Sequence, residues 1–203
     1  MHSEKPVFIL ASGSPRRLDL LRQIGLEPDH ILPTNIDESP LKSELAPELA
    51  RRLAQQKRDA AWAEIKEIHT NAVVLSADTV VTCGRRILPK AANADEAHHF
   101  LRLLSGRSHR VWSGIAVASA KGVWAKRVET RVTFARLHPG QIKAYVQTGE
   151  WEGKAGAYAI QGRAALFVQA LHGSYSNVVG LPLRETAHLL QAAGLPVLGA
   201  VTD

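Results

Sequence analysis

FILASGSPRRLDLLRQIG, residues 8–25, changes character within a few positions. Val7 to Leu10 is a short apolar run of the kind a sheet buries, whereas Leu18, Leu21 and Ile24 recur at helical spacing up to Gly25. The residues between them, SGSPRR, therefore sit at a strand-to-helix junction. There the first helical N–H groups have no intrahelical partner, and the helix dipole favours an anion. Ser14 suits the cap, Pro15 suits the first helical position, and Gly13 lets a ligand approach the backbone. With Arg16 and Arg17 beside it the junction fits a phosphate. A capped surface helix with solvated arginines fits the same residues.

Outward from this stretch, Glu27 to Pro47 is rich in proline and polar residues and reads as a short strand near Ile31 and Leu32 followed by a loop. A helix is predicted from Pro47 to about Ile68. NAVVLSADTVVTC (Asn71 to Cys83) contains two β-branched apolar runs interrupted by Ser76-Ala77-Asp78-Thr79. Ala94 to Leu104 is helical in pattern, Leu103 to Leu137 alternates like antiparallel strands with a hairpin turn at Ala118 to Gly122, and Pro139 to Thr148 reads as a short helix. A glycine-rich stretch (Gly149 to Pro182) leads to a last helix at Leu183 to Ala193. No repeat or linker divides the chain, so one domain over 1–203 is expected, of the α/β class with a mixed sheet.

Composition sets broad limits. The 203 residues are 45% hydrophobic and 22% charged, ordinary for a globular protein that buries one substantial core. One cysteine, Cys83, excludes an intramolecular disulfide framework and reads as a core thiol. No apolar stretch is long enough for a secretory signal or a membrane span, which leads to the expectation of a cytoplasmic protein without membrane partners. The formal charge of +6 suggests an anionic partner. Its basic pairs are scattered and lack interleaved aromatics, so a phosphorylated small molecule accounts for the charge as well as a nucleic acid does.

Several residues break local rules. In the long helix Leu49, Ala50, Leu53, Ala54, Ala60, Ala61 and Ile68 cover one arc, and Lys57 points near its middle. Such a lysine either snorkels or aims its ammonium into an anion site that the helix borders; the second reading is adopted. Asp78, between VVLSA and TVVTC, is a carboxylate costly to bury without a partner or a metal. Together Glu38, Asp78, Lys57, Lys90 and the two arginines form a coherent set: two carboxylates that can hold a hard divalent ion and four cations that can surround a polyphosphate. GEWEGKA (Gly149 to Ala155) is not a P-loop, and the nine histidines show no zinc spacing. Ser12 and Ser14 lack a nucleophile-elbow context.

LASGSPRR at 10–17, IDE at 36–38, RLAQQK at 52–57, SADTVV at 76–81, LSGRSHRV at 104–111, GKAGAYAIQG at 153–162 and VVGLP at 178–182, in this order, resemble the Maf-like nucleoside triphosphate pyrophosphatases. The resemblance implies a mixed sheet flanked by helices, with two lobes around a deep cleft. It implies cleavage of a nucleoside triphosphate between the α and β phosphorus atoms, dependent on magnesium or manganese, in the service of clearing unwanted nucleotides. It makes Asp78 the proton acceptor, Glu38 and Asp78 the metal carboxylates, and Ser12, Ser14, Arg16, Arg17, Lys57, Lys90 and Lys154 the phosphate-binding set. Substrate choice falls to Arg16, Thr79 and Gln161, and KAGAYAIQG is similar to the branch that acts on dTTP and UTP. A glutamine amide can pair with a pyrimidine's carbonyl and imide N–H at once. Gly153, Arg58, Ala91 and Ala159 depart from residues common in the family. A homodimer is an expectation from the family. The competing readings are the same reaction on another base, a nucleic-acid-binding protein, and a regulator of septum formation.

Overall fold

The apolar run and the helical pattern that flank SGSPRR are β1 (Phe8–Leu10) and α1 (Pro15–Gln23). A computed structural model of the chain describes residues 5–198, in which two compact units form. The first contains the chain up to Asp78, Ser113–Val128, and the chain from Gly180; the second contains Thr79–Trp112 and Glu129–Val179.

In the first unit β1 pairs parallel with both β2 (His30–Ile31) and β3 (Val73–Cys83), Ile9 lying opposite His30 and Val74. Parallel neighbours require crossovers, and α1 and α2 (Ala46–Ile65) provide them. Pro47 at its start and Glu48 in its first turn suit the N-terminus of α2. Its inward stripe buries Leu49, Ala50, Leu53, Ala54, Ala61 and Ile65. Ile9, Ala11, Ala61, Ile65, Ala72 and Val74 form a core cluster with Val7, Leu32 and Trp62 packed against it. The predicted extension to Ile68 is not observed; Ile68 is exposed, so no apolar contact holds another turn. α6 (Leu183–Ala192) completes the unit.

Val73 to Cys83 is one continuous strand, not two runs broken at Ser76–Thr79 as the sequence suggests. The reason is chemical. Ser76 Oγ donates to the Ala54 carbonyl at 2.6 Å and Asp78 is paired with Lys57, so both polar side chains are buried without a turn to solvate them.

In the second unit the end of β3 turns through Gly84 and pairs antiparallel with β4 (Arg86–Leu88). Cys83, expected in the core, is only partly buried at this strand end. The hairpin of β5 (Ser108–Ser119) and β6 (Gly122–Phe134) extends through residues of both units, and in the second β6 pairs antiparallel with β7 (Val168–His172). α3 (Ala94–Leu104) is capped by Asn93, whose side chain accepts from the Glu96 amide at 2.9 Å; α4 (Pro139–Gln147) begins in a capping box at His138. A short 3₁₀ turn at Arg163–Phe167 and α5 (Tyr175–Val179) lie on either side of β7. Parallel and antiparallel pairing together make a mixed sheet flanked by helices, the α/β class read from the sequence. Among the described residues no helix is long and apolar enough to cross a membrane.

The second unit's core is aromatic: His109, Phe134, Tyr158, Tyr145 and Phe167 meet edge to face with centroids 4.9–5.9 Å apart. His109 is 1% exposed, its Nε2 lies 2.8 Å from the Tyr158 hydroxyl, and its Nδ1 is buried without a partner. Burial pushes its pKa down from 6.5 to about 4. The unfolded chain therefore binds this proton more readily than the folded one between these values. The contribution of neutral His109 is full above pH 6.5 and is lost as pH falls toward 4, by about 3 kcal/mol. Urea unfolding followed from pH 7 to pH 4 is expected to show this slope, and a His109→Gln variant is expected to be flatter by that amount.

Candidate active site

Two backbone approaches fix how α2 meets the sheet of the first unit. The Ser76 hydroxyl bonds the Ala54 carbonyl, and Gly114 on β5 is so near the helix that an added Cβ would lie 2.0 Å from the Ala50 carbonyl oxygen. From Ala54 the next turn of α2 brings Lys57; from Ser76 the same face of β3 brings Asp78 two residues on. The consequence is a short ion pair: Lys57 Nζ donates to Asp78 Oδ1 at 2.7 Å and to Glu38 Oε1 at 2.5 Å. Lys57 and Asp78 are 9% and 8% exposed, while Glu38 lies on an exposed loop between β2 and α2. The lysine does not snorkel. Its buried stem ends between two carboxylates, and these charge-assisted bonds supply the partner that buried Asp78 requires.

The SGSPRR loop is braced from within. Arg17 is buried, its Nη1 donating to Ser12 Oγ at 2.8 Å and its Nε to the Gly180 carbonyl at 2.9 Å. Ser12 Oγ also accepts from the Ser14 amide at 3.3 Å. Ser14 occupies the N-cap position in extended conformation, but its hydroxyl makes no capping bond, which corrects the cap read from the sequence. Burial pulls the pKa of Arg17 below the ordinary arginine value, an effect that Asp78 opposes most, Arg16 adds to, and Glu38 also opposes. Arg16 is half-buried, and desolvation lowers its pKa as well. The loop and the Lys57 centre thus share one electrostatic neighbourhood. Ser12, Ser14, Arg16, Arg17, Glu38, Lys57 and Asp78 all belong to the first unit.

Thr79, Lys90, Lys154 and Gln161 belong to the second. Thr79 follows Asp78 on β3 and is half-buried. Lys90 forms an isolated antiparallel bridge with Ala155, which sets it beside the segment carrying Lys154. Lys154 Nζ donates to the Glu152 carbonyl at 2.9 Å. Gly153 has φ +65°, a left-handed conformation that favours glycine, with nothing within 4 Å of where a Cβ would lie. Gln161 is exposed on a loop held from two sides. Tyr145 Oη accepts from the Ala159 amide at 3.0 Å, and Glu150 Oε2 accepts from the Arg163 amide at 2.8 Å. Burial pushes the Tyr145 hydroxyl up to about 12, so it stays a neutral hydrogen-bonding group.

Sequence reading did not single out Ser76, Gly114, Tyr145 or Glu150. The usable signal was the spacing of small residues, Ala50 and Ala54 one turn apart on a helix face with a glycine inside a strand, which marks close backbone approach. Among the described residues no three or more His, Cys, Asp or Glu side chains gather as a metal cluster.

The family model described as "Maf-like protein" matches residues 7–193. The dTTP/UTP pyrophosphatase of Mesorhizobium japonicum is 55% identical over 193 residues, covering 94% of this chain and 93% of that protein. That of Bradyrhizobium diazoefficiens is 54% identical over 196 residues, covering 95% and 94%. Among solved structures, a HAM1 protein from Coxiella burnetii superposes with a TM-score of 0.41 at 17% identity, covering 64% of this chain and 73% of that chain.

Proposed function

The chain belongs to the Maf-like protein family, and from that premise we propose that it hydrolyses dTTP and UTP to the nucleoside monophosphate and pyrophosphate. The observation that carries the reading is the buried Lys57 ammonium held between Asp78 and Glu38, in the electrostatic reach of the braced SGSPRR loop. Removal of unwanted nucleotides from the precursor pool is the role this activity serves.

Asp78 is assigned the proton acceptor, because it is fixed on a strand, buried, and oriented by Lys57; Glu38, on its exposed loop, is assigned to cation binding. The carboxylate pair fits a hard divalent ion: two acidic oxygens converge on one cationic nitrogen at 2.5 and 2.7 Å. Mg²⁺ is commonly held by one or two carboxylates together with substrate phosphates, and keeps several waters. Glu38 and Asp78 would hold Mg²⁺ or Mn²⁺, which would neutralise phosphate charge and polarise a phosphoryl oxygen. Asp78 takes a proton from water as the water oxygen bonds to the α-phosphorus. The bond from that phosphorus to the bridging oxygen breaks, and pyrophosphate leaves.

Ser12, Ser14, Arg16 and Arg17 are assigned to the phosphates, as donors and fixed charges where negative charge develops. Lys90 and Lys154 are assigned the same kind of partner. Thr79 and Gln161 are assigned the base, Gln161 presenting one acceptor and one donor to the pyrimidine edge.

Pyrophosphate release from dTTP, UTP, CTP, GTP, ITP and 7-methyl-GTP, with magnesium, manganese or chelator, tests the reading. Chelator-sensitive turnover of dTTP and UTP above the rest is the expected result. Preference for another base would overturn the substrate assignment, and no turnover of any would overturn the reaction.

A further inference from the structure

We infer that Arg52 is a positioning residue for Glu38, holding the loop backbone so that the Glu38 carboxylate meets Lys57. Glu38 lies in an irregular stretch, and its side chain is 44% exposed, so packing alone does not fix it. Its neighbour Ser39 is held on both backbone groups. The Ser39 carbonyl accepts from Arg52 Nη2 at 3.0 Å, and the Ser39 amide donates to Asp37 Oδ1 at 2.9 Å. The same guanidinium grips Glu44 with two bonds, Nε to Oε1 at 2.7 Å and Nη2 to Oε2 at 2.8 Å, and reaches Gln56 Oε1 at 2.9 Å. Glu44 Oε2 in turn accepts from the Leu41 amide at 2.9 Å, which closes the loop on itself.

Both Arg52 and Lys57 rise from α2, so one rigid helix fixes the backbone beside Glu38 and receives its carboxylate. The side chains of Arg52 and Glu44 are 20% and 9% exposed, which separates this bidentate pair from the solvated surface pairs that contribute little. A planar fork is needed to serve Glu44, Ser39 and Gln56 together. A lysine, with one nitrogen, cannot do so.

The inference rests on the reading that Glu38 serves the hydrolysis. It deepens that reading by naming what holds Glu38 in place. The test is a double-mutant cycle of Glu38→Gln, Arg52→Ala and both, with kcat and KM for dTTP, melting temperature, and Mn²⁺ affinity in the presence of α,β-imido-dUTP read by electron paramagnetic resonance. Arg52→Ala is expected to lower kcat and weaken Mn²⁺ binding by about 10- to 100-fold in the wild-type background and by under about 3-fold when Glu38 is already glutamine. Arg52→Lys is expected to rescue neither quantity. If Arg52→Ala loses its cooperative melting, Glu44→Gln takes its place in the cycle with the same expected coupling.

Losses that add in the double variant, or rescue by lysine, would overturn the inference while leaving the role of Glu38 intact. A Glu38→Gln enzyme with wild-type turnover and Mn²⁺ affinity would overturn the underlying reading of Glu38, and the inference with it.

Discussion

Asp78→Asn is expected to lower kcat for dTTP and UTP by about 10³-fold, within the range removed with a general base, and to leave KM within a few-fold. Asparagine keeps the shape and can still accept from Lys57 at the position where Asp78 Oδ1 lies 2.7 Å away. It cannot take the proton from water. Circular dichroism and a cooperative melting transition are expected to persist, since the strand around position 78 is set by its own ladder and by the Ser76 bond to Ala54. Steady-state kinetics beside a melting curve separates the outcomes. A slow, well-folded variant supports the assignment, whereas retained turnover moves the proton acceptor to another group.

Gly114→Ala is the second large effect. Its Cβ would lie 2.0 Å from the Ala50 carbonyl oxygen, 2.5 Å from the Ala50 carbonyl carbon and 2.8 Å from Arg51 Cα. All three atoms are helix backbone, so no side chain can rotate away. Either α2 lifts from β5 or the strand bends, and overpacking of this kind costs about 3 kcal/mol. The displaced helix is the one that carries Lys57, and small misplacements at a reacting centre cost about 100-fold in rate. Urea unfolding and kcat are therefore expected to fall together at Gly114→Ala. For Asp78→Asn the large loss is in kcat, and melting stays cooperative. Unchanged stability at Gly114→Ala would mean that the helix and sheet are not held at this distance in solution.

The architecture was largely legible because its elements carry local signals. The apolar run before SGSPRR, the stripe of α2 and the helical pattern of α3 need no tertiary information. β7 was missed for the opposite reason. Val168–His172 mixes half-buried and exposed positions without regular alternation at the edge of the sheet, with no fully buried face to pattern it. The continuity of β3 through Ser76 and Asp78 was hidden too, since a buried polar residue looks like a turn until its partner, 22 or 21 residues away, is known.

At the site the residue types were readable and their partners were not. Lys57 stood out as a charge on an apolar face, yet its contacts in the fold are carboxylates, a pairing set by the register of α2 on β3. Arg17, conspicuous as half of an arginine pair, is turned inward to Ser12 and Gly180, a contact spanning 163 residues of chain. Arg52 is the first residue of RLAQQK, but its contacts gave no signal, because an arginine on a helix is ordinary until the loop folds back onto it.

Hydrolysis of dTTP in ¹⁸O-labelled water, with both products separated and weighed by mass spectrometry, locates the phosphorus that water attacks. Label is expected in dTMP and none in pyrophosphate, because the oxygen of the water that Asp78 deprotonates bonds to the α-phosphorus. Label in pyrophosphate or in inorganic phosphate would place the attack on another phosphorus and contradict that expectation.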